Sequence, residues 1–499
     1  MTEWIKDRMD RLANPLLVKE MYQSVHSKKF LAALWLLLGG ALFTYAVVYL
    51  SRPESGECGG HMFAVFGTLT YLMALCVLPY LGFSNLYQEV EGRTIELVHI
   101  TAITSARQVR GRLMAALTKV ALLYAVVGPF AVTAFLFKGV GIEAIAFVLG
   151  LILIFSVPAC ALGIWFGALT SSKHIRVIAR WGYVLVVGLT LFYGMVFGLA
   201  SAQSFFFGFG MGGGPDLETI FITLGVSAPL ALLATWFLCA SAANILTFEA
   251  DKCSGKTKLV LLVIVAAAFA APVAVDALAG TGMDDEIIIT LGVLTTLFAA
   301  LWCFFWATDK RRVSRSLERK LERRGILYRL ALFPFVDGPG SGLAYSCIAF
   351  ALIMVGTTTL AWQDLWDWQM IYVAVPLMGL VYVLFFLALT QIVMRFLPGK
   401  WRTTLARRIV AAVVVVFNVV ISTLMLAGVT DHRWWDRMAM NPGMALSPVL
   451  YLRAAGDAVI DGDGAEYLLP LILPLGIGLA VCLISATRHF RRYMRGDYN

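Results

Sequence analysis

The residues best suited to chemistry in this chain form a charged group directly after a long apolar run. The group consists of Glu89, Glu91, Arg93 and Glu96. Carboxylate and guanidinium side chains offer charge-assisted hydrogen bonds and ion pairs. The surrounding segment, residues 88–113, is too polar to enter lipid and too short to fold alone. We therefore expect it to dock on another surface.

Residues for metal binding or nucleophilic catalysis are not arranged in any recognisable pattern. The eight cysteines include no CxxC pair, and most of them lie in apolar segments. The six histidines are scattered without metal-ligand spacing, at His26, His61, His99, His174, His432 and His489. The sequence therefore predicts no metal, cofactor or catalytic residue in this chain, and no enzymatic activity of its own.

Two glycine-containing segments match the sequence patterns of nucleotide-binding loops. Residues 250–257 fit a relaxed phosphate-loop pattern in which Ala250 replaces the first glycine, and residues 208–213 fit GxGxxG. A working loop of either kind needs a preceding buried strand within an α/β core. Here both lie in connections between apolar runs, so we do not expect this chain to bind ATP or a dinucleotide.

The elements around these residues must be membrane-spanning helices. Of the 499 residues, 60% are hydrophobic and only 14% are charged, and the mean hydropathy is +0.80. A soluble domain has nearer a quarter charged residues. Apolar runs of about 20 residues, the length of a spanning helix, occur about twelve times. They are 30–50, 63–87, 113–137, 144–169, 183–207, 220–248, 259–279, 287–307, 343–361, 370–389, 409–429 and 468–486. The prediction is an all-α polytopic membrane protein.

The charge distribution predicts the orientation of these spans. With both termini in the cytoplasm, the outer side holds only a small share of the 40 Lys and Arg residues, namely Arg52, Lys138, Arg433, Arg437 and Arg453. The net charge of +9 is then explained by anionic lipids at the inner leaflet, without nucleic acid. The expected location is a bacterial-type cytoplasmic membrane.

Ionisable residues inside the spans are scarce. Lys119 and Asp276 are the candidates, and each is near enough to a span end to reach the headgroups. A transporter driven by protons or sodium generally has titratable or coordinating groups within the bilayer. The energy source therefore is expected outside this chain.

The N-terminal segment, residues 1–29, is typical of an amphipathic helix on the cytoplasmic membrane surface. Asn14 can cap the helix, and Pro15 suits its first position. Leu17, Met21 and Val25 then recur every four residues beside basic side chains.

A short repeat favours a duplication. Ala168-Leu169-Thr170 ends the fourth apolar run, and Ala388-Leu389-Thr390 ends the tenth. The pattern suits two halves of six spans with the same orientation. The predicted organisation is the surface helix 1–29, a first half 30–250 with a polar loop 88–112, and a second half 251–499.

Two of these segments together resemble the membrane subunits of type-2 ATP-binding-cassette (ABC) exporters. That family has an Asn-Pro-x-x-x-Lys-Glu pattern in its surface helix, which here is Asn14-Pro15-Leu16-Leu17-Val18-Lys19-Glu20. It also has a coupling helix after the second span, with acidic residues, Gly-Thr, Glu-Leu, a Thr-containing turn and a Gly-Lys entry to the third span, where this chain has Arg112 in place of Lys. The matching residues here are Glu89, Glu91, Gly92, Thr94, Glu96, Leu97, Thr101, Gly111 and Arg112, with Arg93 inserted between Gly92 and Thr94.

The resemblance covers about the first half of the chain and implies a permease driven by a separate cytosolic ATPase, present in two copies, which would hold ATP and Mg²⁺. It implies that the ATPase contacts Glu89, Glu91, Gly92, Arg93, Thr94 and Glu96. It also implies that Asn14, Pro15, Lys19 and Glu20 orient the surface helix. A second copy of this chain or another permease could complete the transporter, and the transported substrate is left open.

Two other functions are compatible with the same spans. An ion-coupled secondary transporter also commonly has twelve spans and basic inner loops. A membrane-embedded glycosyl or lipid transferase could use the polar outer loop 430–467. The acidic and histidine side chains of that loop are Asp431, His432, Asp436, Asp457, Asp461 and Asp463, and their spacing is not typical of a catalytic site.

Overall fold

The computed structural model describes residues 15–51, 59–92, 103–137, 141–169, 217–247, 254–279, 326–336 and 339–360. It also describes individual positions between 177 and 191, 292 and 306, 380 and 393, and 480 and 494. Regular structure in these residues is helical throughout. Contacts divide the chain into two compact units, Met1–Phe248 and Glu249–Asn499.

Seven of the described helices are long and apolar enough to cross a membrane. Their candidate spanning segments are Phe30–Val47, Met62–Glu91, Ser105–Leu136, Ile142–Leu169, Leu224–Leu246, Gly255–Pro272 and Ser341–Thr359. Each overlaps one of the twelve runs expected from the sequence. The other five runs are described at scattered positions or lie outside the described residues. The chain is a helical, multi-pass membrane protein.

Besides the helical residues 181–188, the described part of the first unit contains seven helices. They are α1 (Pro15–Val25), α2 (Lys28–Ser51), α3 (Gly59–Leu72), α4 (Leu78–Glu91), α5 (Ser105–Leu136), α6 (Ile142–Leu169) and α7 (Leu217–Leu246). A π-helical turn, Met73–Val77, joins α3 to α4 within the second span. The resulting span ends at Glu91, and the backbone N–H of the following Gly92 donates to the Gln88 carbonyl at 2.9 Å.

Close packing of α4 on α6 depends on two glycines. A Cβ added to Gly163 would lie 2.3 Å from the Pro79 carbonyl oxygen, and one added to Gly167 would lie 2.9 Å from the Leu86 Cβ. Glycines four residues apart allow the backbones of membrane helices to approach closely. This Gly163-xxx-Gly167 motif therefore positions α4, the second half of the second span, against α6, the fourth span.

Side-chain hydrogen bonds join α5 to α6 and α6 to α7 in the first unit. The Tyr124 hydroxyl on α5 donates to the Leu149 carbonyl on α6 at 2.7 Å. The Trp165 indole on α6 donates to the Ser241 hydroxyl on α7 at 2.9 Å. Buried apolar side chains of α2, α4, α5 and α6 form the core between them. These contacts place the ends of α4 and α5, which carry the charged residues, in a fixed arrangement.

The second unit contains α8 (Gly255–Ala279), α9 (Ile326–Leu332), the 3₁₀ turn Phe333–Phe335 and α10 (Pro339–Leu360). A Cβ on Gly356 of α10 would lie 2.5 Å from the Phe269 ring of α8, so these two helices also approach closely. The last part of the phosphate-loop-like motif, Gly255-Lys256-Thr257, forms the first turn of α8. The GxGxxG motif and the outer loop 430–467 lie outside the described residues.

Candidate functional site: an ion-paired cluster on three helices

The polar centre of the first unit begins on the short helix α1. This helix packs against α5, and Glu20 faces that contact with only 5% of its surface exposed. Leu17 and Met21 are half-buried, while Val18 and Tyr22 on the other side are exposed. The sequence predicted an amphipathic helix on the membrane surface, and that placement stays a prediction. Among the described side chains of α1, the carboxylate of Glu20 is the most buried.

Glu89, near the end of α4, connects α1 to α5. Its carboxylate accepts a hydrogen bond from Lys19 Nζ at 2.9 Å and a second one from the Arg112 guanidinium. Arg112 Nε also lies 3.5 Å from Glu20 Oε1. Arg112 therefore bridges a carboxylate from α1 and a carboxylate from α4. We call Lys19, Glu20, Glu89 and Arg112 the ion-paired cluster.

The interior face of α5 extends this polar region towards the membrane. Gln108, Arg112 and Lys119 lie on that face, and none is more than 5% exposed. Lys119 is close enough to Glu20 for an electrostatic interaction. Among the residues that the structure describes, Arg112 Nε and Nη1 and both polar atoms of the Gln108 amide have no hydrogen-bond partner. Burial without full hydrogen bonding costs free energy, so this face is a polar and incompletely satisfied part of the core.

The cluster can transmit a displacement from one helix to the others. Removing one partner of a buried ion pair leaves the other charge uncompensated, at a cost of about 3–5 kcal/mol. Arg112 contacts both Glu20 and Glu89. Moving α1 away from α4 or α5 would therefore break an ion pair and incur that free-energy cost. The three helix ends are therefore expected to move together.

The structure brings together some of the residues that the sequence suggested. Pro15 is the first residue of α1, as the capping pattern predicts, and Lys19 and Glu20 follow on the same helix. Glu91 and Gly92 are exposed at the end of α4. Asn14, Arg93, Thr94 and Glu96 lie outside the described residues, so their placement and their contact with a partner stay predictions.

The third span begins earlier than the sequence indicated. The polar loop was expected to continue to residue 112, whereas α5 begins at Ser105. Helix-compatible residues in 105–112 join α5 because packing on α1 and α4 compensates for their polarity. Arg112 is thus an internal residue of the span rather than a residue before it. Lys119 was expected to reach the headgroups, and the structure instead buries it in the unit.

Sequence reasoning missed Gln108 as a site residue and missed the ion pairs of Arg112. A usable signal was present, since residues four and seven apart share one helical face. Gln108, Arg112 and Lys119 follow that spacing once α5 is extended back to Ser105. No group of His, Cys, Asp or Glu among the described residues could hold a metal ion.

Comparison with models of protein families, with curated proteins and with solved structures finds no match for this chain.

Another buried cation, Lys258, joins elements of the described part of the second unit. Its ammonium group, on the first turn of α8, donates to the carbonyls of Pro334 at 3.0 Å and Val336 at 2.6 Å. The rings of Trp306 and Tyr345 lie 6.0 and 5.8 Å from the same nitrogen. The Tyr345 hydroxyl donates to the Lys258 carbonyl at 2.7 Å. Lys258 thus joins α8, the 3₁₀ turn and α10.

Replacing Lys258 by Met should destabilise the second unit. The substitution removes two charge-assisted hydrogen bonds and leaves the Pro334 carbonyl without this donor, which is expected to cost about 2 kcal/mol. The midpoint of unfolding by SDS in mixed micelles should fall accordingly. Lys256→Met is the matched control, because Lys256 is exposed two residues earlier on the same helix. Equal midpoints for the two variants would contradict this role.

Proposed function

We propose that this chain is the membrane permease subunit of an ATP-driven exporter of the type-2 ABC class. The observation that carries the proposal is the ion-paired cluster. It joins the helix of the Asn-Pro-x-x-x-Lys-Glu pattern to the two spans that flank the acidic segment, through Lys19, Glu89 and Arg112. A force applied to the acidic segment would therefore reach α1, α4 and α5 together.

The proposed mechanism uses the segment between Glu91 and Ser105 as the docking element of the ATPase. This segment leaves α4 after the exposed Glu91 and returns into α5, whose polar face is buried. Closure of a cytosolic ATPase pair on ATP would push the segment. The ion-paired cluster would pass that push to the second and third spans, and alternate access to the substrate path would follow from their movement.

The proposal includes partners and a location. The ATPase would be a separate cytosolic subunit in two copies and would hold ATP and Mg²⁺, so this chain itself would not be an enzyme. The protein would lie in the inner membrane of a bacterial-type cell. The span ends and loops that carry most of the basic residues would face the cytoplasm. A second copy of the chain or another permease would complete the complex, and lipids would surround it.

An ion-coupled secondary transporter is the second candidate, and the burial of Lys119 favours it. A buried ionisable group within a span is often part of a proton or ion path. Glu20 provides Lys119 with a nearby opposite charge, which also fits a purely positioning role within the ion-paired cluster. Transport that stops with a proton uncoupler while the ATP concentration is held constant would select this candidate.

The proposed function is tested by purifying the tagged wild-type chain from its native membrane in a mild detergent. We expect an ATPase subunit to copurify and the complex to hydrolyse ATP. Identification of the copurifying chain by mass spectrometry would establish the partner. Recovery of the folded chain without an ATPase in several detergents would contradict the proposal.

A further inference from the structure

A cavity of about 340 Å³ lies beside α4, at the end of the unit that carries the ion-paired cluster. Its described lining consists of Tyr87 on α4 and of Val177, Arg180, Trp181 and Val184. Tyr87 precedes Glu89 of the cluster by two residues. The cavity is therefore near the membrane boundary, at the end where the basic residues are expected to face the cytoplasm.

The wall opposite Tyr87 is held in place by Tyr183. This side chain is 1% exposed, and its ring stacks on Phe83 of α4 with the centroids 4.5 Å apart. It also meets Phe166 of α6 edge-on at 5.5 Å. Residues 181–188 are helical, so the anchored Tyr183 fixes the direction of its neighbours.

The cavity side of this wall is apolar and exposed. Val177, Trp181 and Val184 have the spacing of one helical face and are 59%, 68% and 48% exposed. Within the described lining, Arg180 is the one charged side chain, and it is also exposed. The cavity thus combines an aromatic and aliphatic wall with a single guanidinium.

This combination fits an amphiphile with a negative headgroup. A guanidinium binds phosphate through paired, charge-assisted hydrogen bonds. Tryptophan favours the headgroup level of a bilayer, and the cytoplasmic leaflet supplies anionic phospholipids. Small-molecule pockets usually measure about 300–1,000 Å³, so a cavity at the lower limit suits part of one acyl chain.

We propose that this cavity binds an anionic phospholipid from the cytoplasmic leaflet. Its phosphate contacts Arg180, and the first part of an acyl chain lies between Tyr87 and Trp181. The inference goes beyond the transport function and does not depend on it, because it concerns only this chain and the lipid. The bound lipid would lie near the ion-paired cluster, since Tyr87 is two residues from Glu89.

The test uses the full chain reconstituted in vesicles that contain photoactivatable phosphatidylglycerol or photoactivatable phosphatidylcholine in equal amounts. After irradiation, peptide mapping by mass spectrometry measures labelling around Tyr87 and residues 177–184. Arg180→Gln removes the headgroup contact, and Val184→Trp fills the cavity. Arg110→Gln is the matched control, because Arg110 is an exposed basic residue on α5 that is not among the described lining residues of the cavity.

We expect the wild type and Arg110→Gln to be labelled several-fold more strongly by phosphatidylglycerol than by phosphatidylcholine. Arg180→Gln should reduce that ratio to about one, because both lipids carry a phosphate and the guanidinium is the charge that favours the net negative headgroup of phosphatidylglycerol over the zwitterionic headgroup of phosphatidylcholine. Val184→Trp should lower labelling by both lipids. Equal labelling of the wild type by the two lipids would mean ordinary contact with the bilayer and would overturn the proposal. A preference that survives Arg180→Gln would overturn it as well.

Discussion

Replacing Arg112 by Met should lower the free energy of unfolding by about 3 kcal/mol, the cost of breaking a buried ion pair. Arg112 is 5% exposed and is the common partner of Glu20 and Glu89. Without it, two carboxylates from different helices lie in the same buried region with less positive charge to balance them. The measurement is the midpoint of unfolding by SDS in mixed micelles, together with gel filtration of the purified variant.

The control for this prediction is Arg110→Met. Arg110 is exposed on the same helix, and surface substitutions of this kind usually change stability by less than about 0.5 kcal/mol. The double variant Arg112→Met with Glu20→Gln should lose less stability than the two single variants added together, because the residues share one interaction. Additive losses, or an unchanged midpoint for Arg112→Met, would contradict the bridging role of Arg112.

Replacing Gly163 by Ala should destabilise the first unit by about 3 kcal/mol, at the upper end of the cost of overpacking. The new Cβ would lie 2.3 Å from a backbone carbonyl oxygen of Pro79, and a backbone atom cannot move aside as a side chain can. α4 and α6 must then separate, which also disturbs the helix that carries Glu89. Thermal unfolding in detergent measures the effect.

Two other glycines of α6 provide a graded comparison. Gly167→Ala should be milder than Gly163→Ala, because the nearest atoms belong to the Leu86 side chain. At Gly150 a Cβ would make ordinary contact with Leu224 at 3.5 Å, so Gly150→Ala should be neutral or stabilising by up to about 1 kcal/mol through helix propensity. The same loss of stability in all three variants would contradict the close approach at Gly163.

The helices were the most predictable part of this protein. Apolar runs long enough to cross a bilayer predict spanning helices without knowledge of their neighbours, and seven of the twelve expected runs coincide with candidate spans. The start of α1 at Pro15 followed from local backbone preference alone. Such features depend on nearby residues, which the sequence shows directly.

The arrangement of the charges was harder to predict, because it depends on contacts between distant residues. Glu89 and Arg112 are separated by a polar segment, and nothing in their spacing says that Lys19 and Glu20 join them. The same holds for Lys258, whose carbonyl partners lie far along the chain at Pro334 and Val336. In both cases the pairing is decided by which helices pack together.

The central claim, that an ATPase docks on the segment after α4, is tested most directly by charge reversal at Glu91. Glu91 is exposed at the last position of α4, where a basic residue suits the helix dipole better than an acidic one. Glu91→Arg should therefore leave the chain folded, and its purification can be compared with the wild type and with Glu143→Arg. Glu143 is an exposed glutamate in the first turn of α6, expected on the outer side.

We predict that the wild type and Glu143→Arg copurify with an ATP-hydrolysing subunit and that Glu91→Arg loses it. Equal recovery of the ATPase with all three proteins would contradict docking at this segment. Absence of an ATPase from the folded wild type would contradict the permease function itself.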